Sequence, residues 1–230
     1  MSKVVFGAIV VDMRNKLGGH VFSKNKGGSF MRRKVSPAQP RTSAQTLIRA
    51  GMTTLSKRWG GTLLDTQRSA WAAFAQNNPT KDIFGATVVL TGEQTYIRLN
   101  QALLMVGATI LDDPPADLSV QGVSAFTSAP NGTSPAFTIS AITPAPLLAT
   151  DNYMIWATRQ LSPGRESLAT YYRFVTNFQG NTSLPFDIKT AYETKFGTLD
   201  TDKVLGLGIR VLNTLNGAQS PLFTKRLIVV

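Results

Sequence analysis

Cysteine is absent from the 230 residues, which excludes disulfides, thiolate metal sites and cysteine nucleophiles. Histidine occurs once, at His20. One imidazole is too few for most zinc centres, and no acid close to it in sequence would orient it as a catalytic base. Charge is scarce: 16% of residues are Asp, Glu, Lys or Arg, against about 25% in ordinary soluble domains. So thin a charged surface suits a subunit of an assembly better than a free enzyme. Long apolar runs are missing too. The longest, Val4 to Val11, is broken by Gly7 and is far short of a membrane span. It also lacks the small-residue cleavage pattern of a signal peptide, so no membrane partner is expected. The apolar share is still 43%, enough to bury a core in one large domain or two small ones.

Negative charge is scarcest near the N-terminus. Up to Arg58 a single acid, Asp12, faces twelve Lys or Arg, a net charge of +11. From Trp59 onward twelve basic and twelve acidic residues cancel. All of the net charge therefore sits in the first quarter, in a block that attracts polyanions, whether nucleic acid or an acidic protein face. The candidate polyanion or assembly residues are Lys24, Lys26, Arg32, Arg33, Lys34 and Arg41, with Arg49, Lys57 and Arg58 following. A tail that only aids solubility would not need the interleaved Val21, Phe22, Phe30 and Val35, which read as anchors.

Four segments follow from the pattern, predicting an α+β multidomain chain. Residues 1–41 form a basic extended arm. Within it, His20-Val-Phe-Ser and Ser29 to Val35 are strand-like runs around Lys24-Asn-Lys-Gly-Gly, a hairpin signal. Pro37 and Pro40 stiffen its exit. Without an apolar set large enough for a core, the arm is expected to order by lying on something else. Residues 42–111 form a three-helix domain. Thr42 or Ser43 caps the first helix, whose Ala44, Leu47, Ile48, Met52, Leu55 and Trp59 share one face, with Gly60-Gly61 as its stop. Asp65 is the expected N-cap of a second helix carrying Trp71 and Phe74. Thr91-Gly-Glu-Gln94 is a capping box for a third, and Ile83 to Leu90 between them is a small β excursion. Trp59 and Trp71 are assigned to the core.

Asp112-Asp-Pro-Pro115 marks an extended linker, residues 112–116. Residues 117–230 then read as β: Leu118 to Phe126, Ala136 to Ile142, Tyr153 to Arg159, Tyr171 to Phe178, Val204 to Leu212 and Leu222 to Val230. Pro130-Asn-Gly, Ser162-Pro-Gly and Asn216-Gly supply turns. Short strands at this spacing predict an immunoglobulin- or fibronectin-III-like sandwich with Trp156 in its core. Asp187 to Phe196 is a short helix or a crossover.

From Gly18 to Asn78, and again at Leu90 to Asn100, the chain resembles a mostly uncharacterised family of tailed-bacteriophage and prophage proteins. The features that carry it are Val21-Phe-Ser-Lys-Asn-Lys-Gly-Gly, Arg32-Arg-Lys-Val-Ser-Pro and Pro40-Arg-Thr-Ser-Ala-Gln. Leu55-Ser-Lys-Arg-Trp, Thr66-Gln-Arg-Ser-Ala-Trp and Leu90-Thr-Gly-Glu-Gln-Thr-Tyr-Ile-Arg-Leu-Asn follow in order. The resemblance implies a phage context and a structural role in the virion, and brings no catalytic residue with it.

The residues themselves offer little chemistry. Lys24-Asn-Lys-Gly-Gly and Gly60-Gly-Thr lack the order of a phosphate-binding loop. Asp112 and Asp113 suit solvation on a stiff linker better than acid–base work. Asp200 and Asp202 have no further clustered oxygen ligands. No enzyme, cofactor or metal site is expected. The reading is a non-enzymatic virion structural protein, capsid-associated or in the neck or tail. It would assemble as a homo-oligomer and with capsid, portal or tail subunits, through its arm and helical unit. The alternative is a DNA-binding or packaging-associated phage protein using the same arm.

Overall fold

Period-two alternation and a turn-forming pair give the N-terminal residues a sheet of their own in the computed structural model. The structure describes residues 2–25, 28–36, 39–81, 84–134, 136–144, 148–168 and 171–230. Two compact units divide the chain, residues 1–46 and 47–230.

The first unit holds β1 (Ser2–Lys3), β2 (Asn15–Leu17), β3 (His20–Asn25) and β4 (Gly28–Arg33), in antiparallel order β1-β4-β3-β2. The β3–β4 hairpin is the one the two strand-like runs predict, with register from His20↔Arg33 to Asn25↔Gly28. Its tip, Lys26-Gly27, lies outside the described residues. No described side chain of this unit is fully buried. The arm is therefore hydrogen-bonded without having a core.

Helix α1 (Ser43–Gly61) crosses from the first unit into the second; the Gln45 amide donates to Thr42 Oγ1 at 3.3 Å, and the helix ends at Gly61, within the Gly60-Gly61 stop. α2 (Asp65–Asn77) starts one residue earlier than the Asp65 cap predicts. Leu64 holds the cap position, and its amide donates to Gln67 Oε1 at 3.0 Å. Asp65 is instead in the first turn, where its carboxylate receives Arg68 at 2.9 Å. α3 (Gly92–Val106) follows a ribbon of β5 (Thr80–Lys81) and β6 (Thr87–Val88), to which the expected excursion reduces. Asp82 and Ile83 lie outside the described residues. Its capping box forms as predicted: Gln94 N donates to Thr91 Oγ1 at 3.2 Å, and Thr91 N to Gln94 Oε1 at 3.0 Å.

Leu55, Leu63, Trp71, Phe74, Tyr96 and Leu99 form one buried cluster, with Trp59 packed against it. Trp71 meets Tyr96 edge-on at 5.4 Å. Gly92 lets α3 approach α2: a Cβ there would stand 2.8 Å from the Ala72 nitrogen.

The β-rich half has β7 (Ala125–Ala129), β8 (Thr138–Thr143), β9 (Asp151–Ala157), β10 (Arg173–Gln179), β11 (Phe186–Asp187), α4 (Lys189–Phe196), β12 (Val204–Asn213) and β13 (Phe223–Ile228). They make two antiparallel sheets, β10-β9-β12-β13 and β11-β8-β7. Tyr153, Ile155, Leu205, Leu207, Ile209 and Val211 share one buried cluster with Phe126, Ile139 and Phe186 from the other sheet and with Phe137 just before β8. The chain is thus mixed α+β with every sheet antiparallel. Leu118 to Ser124, predicted as strand, is irregular; pairing begins at Ala125.

Trp156 is not in that core. Tyr153, Ile155 and Ala157 point to it, so alternation sends Met154 and Trp156 to the opposite face. There Met154 and Leu212 are buried with Ala102 and Leu103 of α3, and Trp156 and Phe174 pack alongside. A helix thus covers the outer face of the larger sheet.

The Asp112 segment is also tied down. Both carboxylate oxygens of Asp112 accept from Arg58, at 2.7 and 2.6 Å, and its carbonyl accepts from Trp71 Nε1 at 2.8 Å. Leu111 exchanges hydrogen bonds with the buried Asn100, and Asp113 accepts from Gln67. Asp112 serves as an ion-pair partner here, where the sequence suggested solvation on a stiff linker.

Candidate assembly interface

Register sets which arm residues share a face. Residues directly opposite on neighbouring strands project to the same side of a sheet, and residues two apart on one strand do so as well. Val21, opposite Arg32 and Lys16, lies on one face with Phe30, which stands opposite Lys3. Phe22, opposite Met31, lies on the other face with Lys24 and Arg33. Each face thus mixes apolar groups with cations, and the four expected anchors do not converge. Val21, Phe22 and Phe30 are half-buried; Val35 is 71% exposed and beyond the strands. Met31, opposite Phe22, was not among the expected anchors, although its place in the alternation pointed to it.

Apart from Arg14, the cations of this unit lack counter-charge among the described residues. Asp12, the only acid of the unit, is bound by Arg14 at 3.1 Å. Lys24, Arg32, Arg33, Lys34 and Arg41 are exposed, and no carboxylate of the described residues pairs with them. Lys26 lies outside the described residues.

On α1, Arg49 and Lys57 are exposed, and no carboxylate of the described residues pairs with them. Arg58 departs from the set. Asp112 neutralises it, and that pairing raises its pKa above the ordinary value while holding Asp112 below the usual carboxylate range.

The apolar stripe of α1 is covered along part of its length. Leu55 is fully buried and Trp59 packs against the cluster, whereas Leu47, Ile48 and Met52 on the same face are 60%, 38% and 43% exposed. The stripe is legible at helical spacing, but sequence does not tell where its covering layer ends. α1 carries no acid anywhere.

Comparisons with family models, curated proteins and solved structures find no match for this chain.

Proposed function

We propose that this chain is a non-enzymatic structural component of a bacteriophage virion, in the capsid shell, neck or tail, that joins its assembly through the basic arm and α1. The observation that carries the reading is the arm itself. It is a hydrogen-bonded sheet with no fully buried side chain among its described residues, apolar groups on both faces, and one acid, already paired. Such a ribbon lowers its free energy by lying between other surfaces, where its apolar groups lose water and its cations gain partners. The open stretch of the α1 stripe supports the same reading. Leu47, Ile48 and Met52 continue the line of Leu55 and Trp59, and their basic flanks favour an acidic neighbour.

In this reading α1 to α3 are the assembling helical unit. The two sheets are an immunoglobulin- or fibronectin-III-like module, with α3 laid on its outer face. The partners are further copies of the chain and other virion proteins.

Quantitative mass spectrometry of gradient-purified particles of the encoding phage tests the proposal. A fixed copy number relative to the major capsid protein is expected, together with loss of incorporation when residues 1–41 are deleted from an otherwise folded chain. Incorporation of the truncated chain at normal copy number refutes the role of the arm. The DNA-binding alternative predicts absence from particles and duplex affinity that falls steeply with salt.

A further inference from the structure

A second concentration of positive charge lies in the unit of residues 47–230, in a cleft between α3 and the loop that follows β12. The cleft has a volume of about 440 Å³ and is lined by Arg98, Leu99, Leu118, Arg210 and residues 217–221. Two arginines face it, and no acidic side chain is among the described residues that line it.

Arg210 projects from the same face of β12 as Leu212, beside Met154 on β9. Its Nη1 donates to Gln219 Oε1 at 2.9 Å, which fixes the plane of the guanidinium. Its Nε is buried without a hydrogen-bond partner among the described residues. Burial lowers its pKa from the ordinary arginine value. Arginine nevertheless remains charged in proteins, so the sheet holds a half-buried cation, its Nε out of water, with no carboxylate beside it among the described residues, and an arriving anion would offset that lost solvation. Arg98 is exposed, and its side chain makes no ion pair or hydrogen bond among the described residues.

The rest of the cleft is built to stay in place. Ser220 Oγ accepts from the Val211 amide at 2.9 Å, and Asn216 Nδ2 donates to the Ser119 carbonyl at 2.8 Å. Gly217 adopts a left-handed φ of 69° against Leu99, where a Cβ would stand 3.0 Å from the Leu99 Cβ. Leu99, Leu118, Ala218 and Pro221 supply apolar walls.

We propose that this cleft binds a carboxylate presented by a partner protein, an Asp or Glu side chain or a chain-terminal carboxylate, with Arg98 and Arg210 as its two ligands. A carboxylate is planar and has two oxygens, which suits paired guanidinium groups. The apolar walls would receive the aliphatic stem that carries it. A nucleic-acid strand would need a track of cations, whereas this unit carries fifteen basic and twelve acidic residues in all and the cleft has only the two. The inference is independent of the arm, because it rests on a site in the other unit.

The test uses the full chain, with glutarate as the carboxylate probe and inorganic phosphate as the competitor, followed by NMR of arginine Nε–Hε resonances. Glutarate is expected to shift the Arg210 resonance saturably. Arg98→Ala, an exposed substitution, should weaken that binding about fivefold or more through loss of one charge-assisted contact, with the melting temperature unchanged. Arg210→Met should abolish the saturable glutarate response in the remaining spectrum. If that variant does not fold, Arg98→Ala alone decides. A shift that never saturates, unchanged affinity in Arg98→Ala, or tighter binding of phosphate than of glutarate overturns the proposal.

Discussion

Replacing Asp112 with Asn removes the charge that Arg58 faces while keeping the shape of the side chain. The backbone carbonyl that receives Trp71 Nε1 is untouched, so the substitution isolates the ion pair. In a dry site, hydrogen bonds to charged groups contribute about 1.5–3 kcal/mol each. Here both side chains keep roughly a third of their surface in water, at 35% and 34% exposure. Screening therefore reduces the pair to about 1–2 kcal/mol in total. At about 2–4 °C per kcal/mol for a unit of this size, Asp112→Asn should lower the melting temperature at neutral pH by roughly 2–8 °C.

The pH dependence gives a sharper test. The hydrogen bond from Arg58 is the main cause holding the Asp112 pKa below its ordinary value of 3.8, against an opposing desolvation. A depressed carboxylate pKa stabilises the fold fully above the unfolded value, and that contribution is lost as pH falls through the folded value. The gap between the natural chain and Asp112→Asn should therefore be widest near neutrality. It should close in acid below pH 3.8. Calorimetric melts of both chains across that range read it directly. Equal melting temperatures at neutral pH, or a gap that persists undiminished in strong acid, would refute the claim that this pair ties residue 112 to α1.

Two further outcomes follow from the packing. Gly92→Ala should destabilise the unit by about 1–3 kcal/mol in urea unfolding, because backbone atoms of Ala72 cannot yield to a Cβ at 2.8 Å. Changing Leu47, Ile48 and Met52 together to Gln should leave the melting temperature of the isolated chain within about 2 °C, because these side chains already meet water. The same triple variant should cut incorporation into particles about tenfold or more. Unimpaired incorporation would remove α1 from the interface.

Several features needed nothing beyond the sequence. The confinement of charge to the first quarter is a matter of composition. Local rules place the β3–β4 hairpin, because Lys24-Asn-Lys-Gly-Gly interrupts two alternating runs. They also place the α3 cap, because Thr91 and Gln94 sit three residues apart and satisfy each other's backbone. α4 and strands β8 to β10, β12 and β13 fall within a few residues of their signals for the same reason.

What tertiary structure decided is which side of each pattern is covered. Ile48 and Leu55 are only about 20° apart on a helical wheel, yet one is exposed and the other buried, because the cluster of α2 and α3 ends between them. Trp156 and Tyr153 are both aromatic residues of one strand, but alternation fixes only that they face opposite ways. The arrival of α3 on the outer face makes the Trp156 side a second apolar layer. Asp112 and Arg58 lie 54 residues apart, and Arg98 and Arg210 come from a helix and a strand separated by more than a hundred. Local pattern determines how a segment can fold and which faces it offers, whereas burial and charge pairing depend on what the rest of the chain brings against those faces.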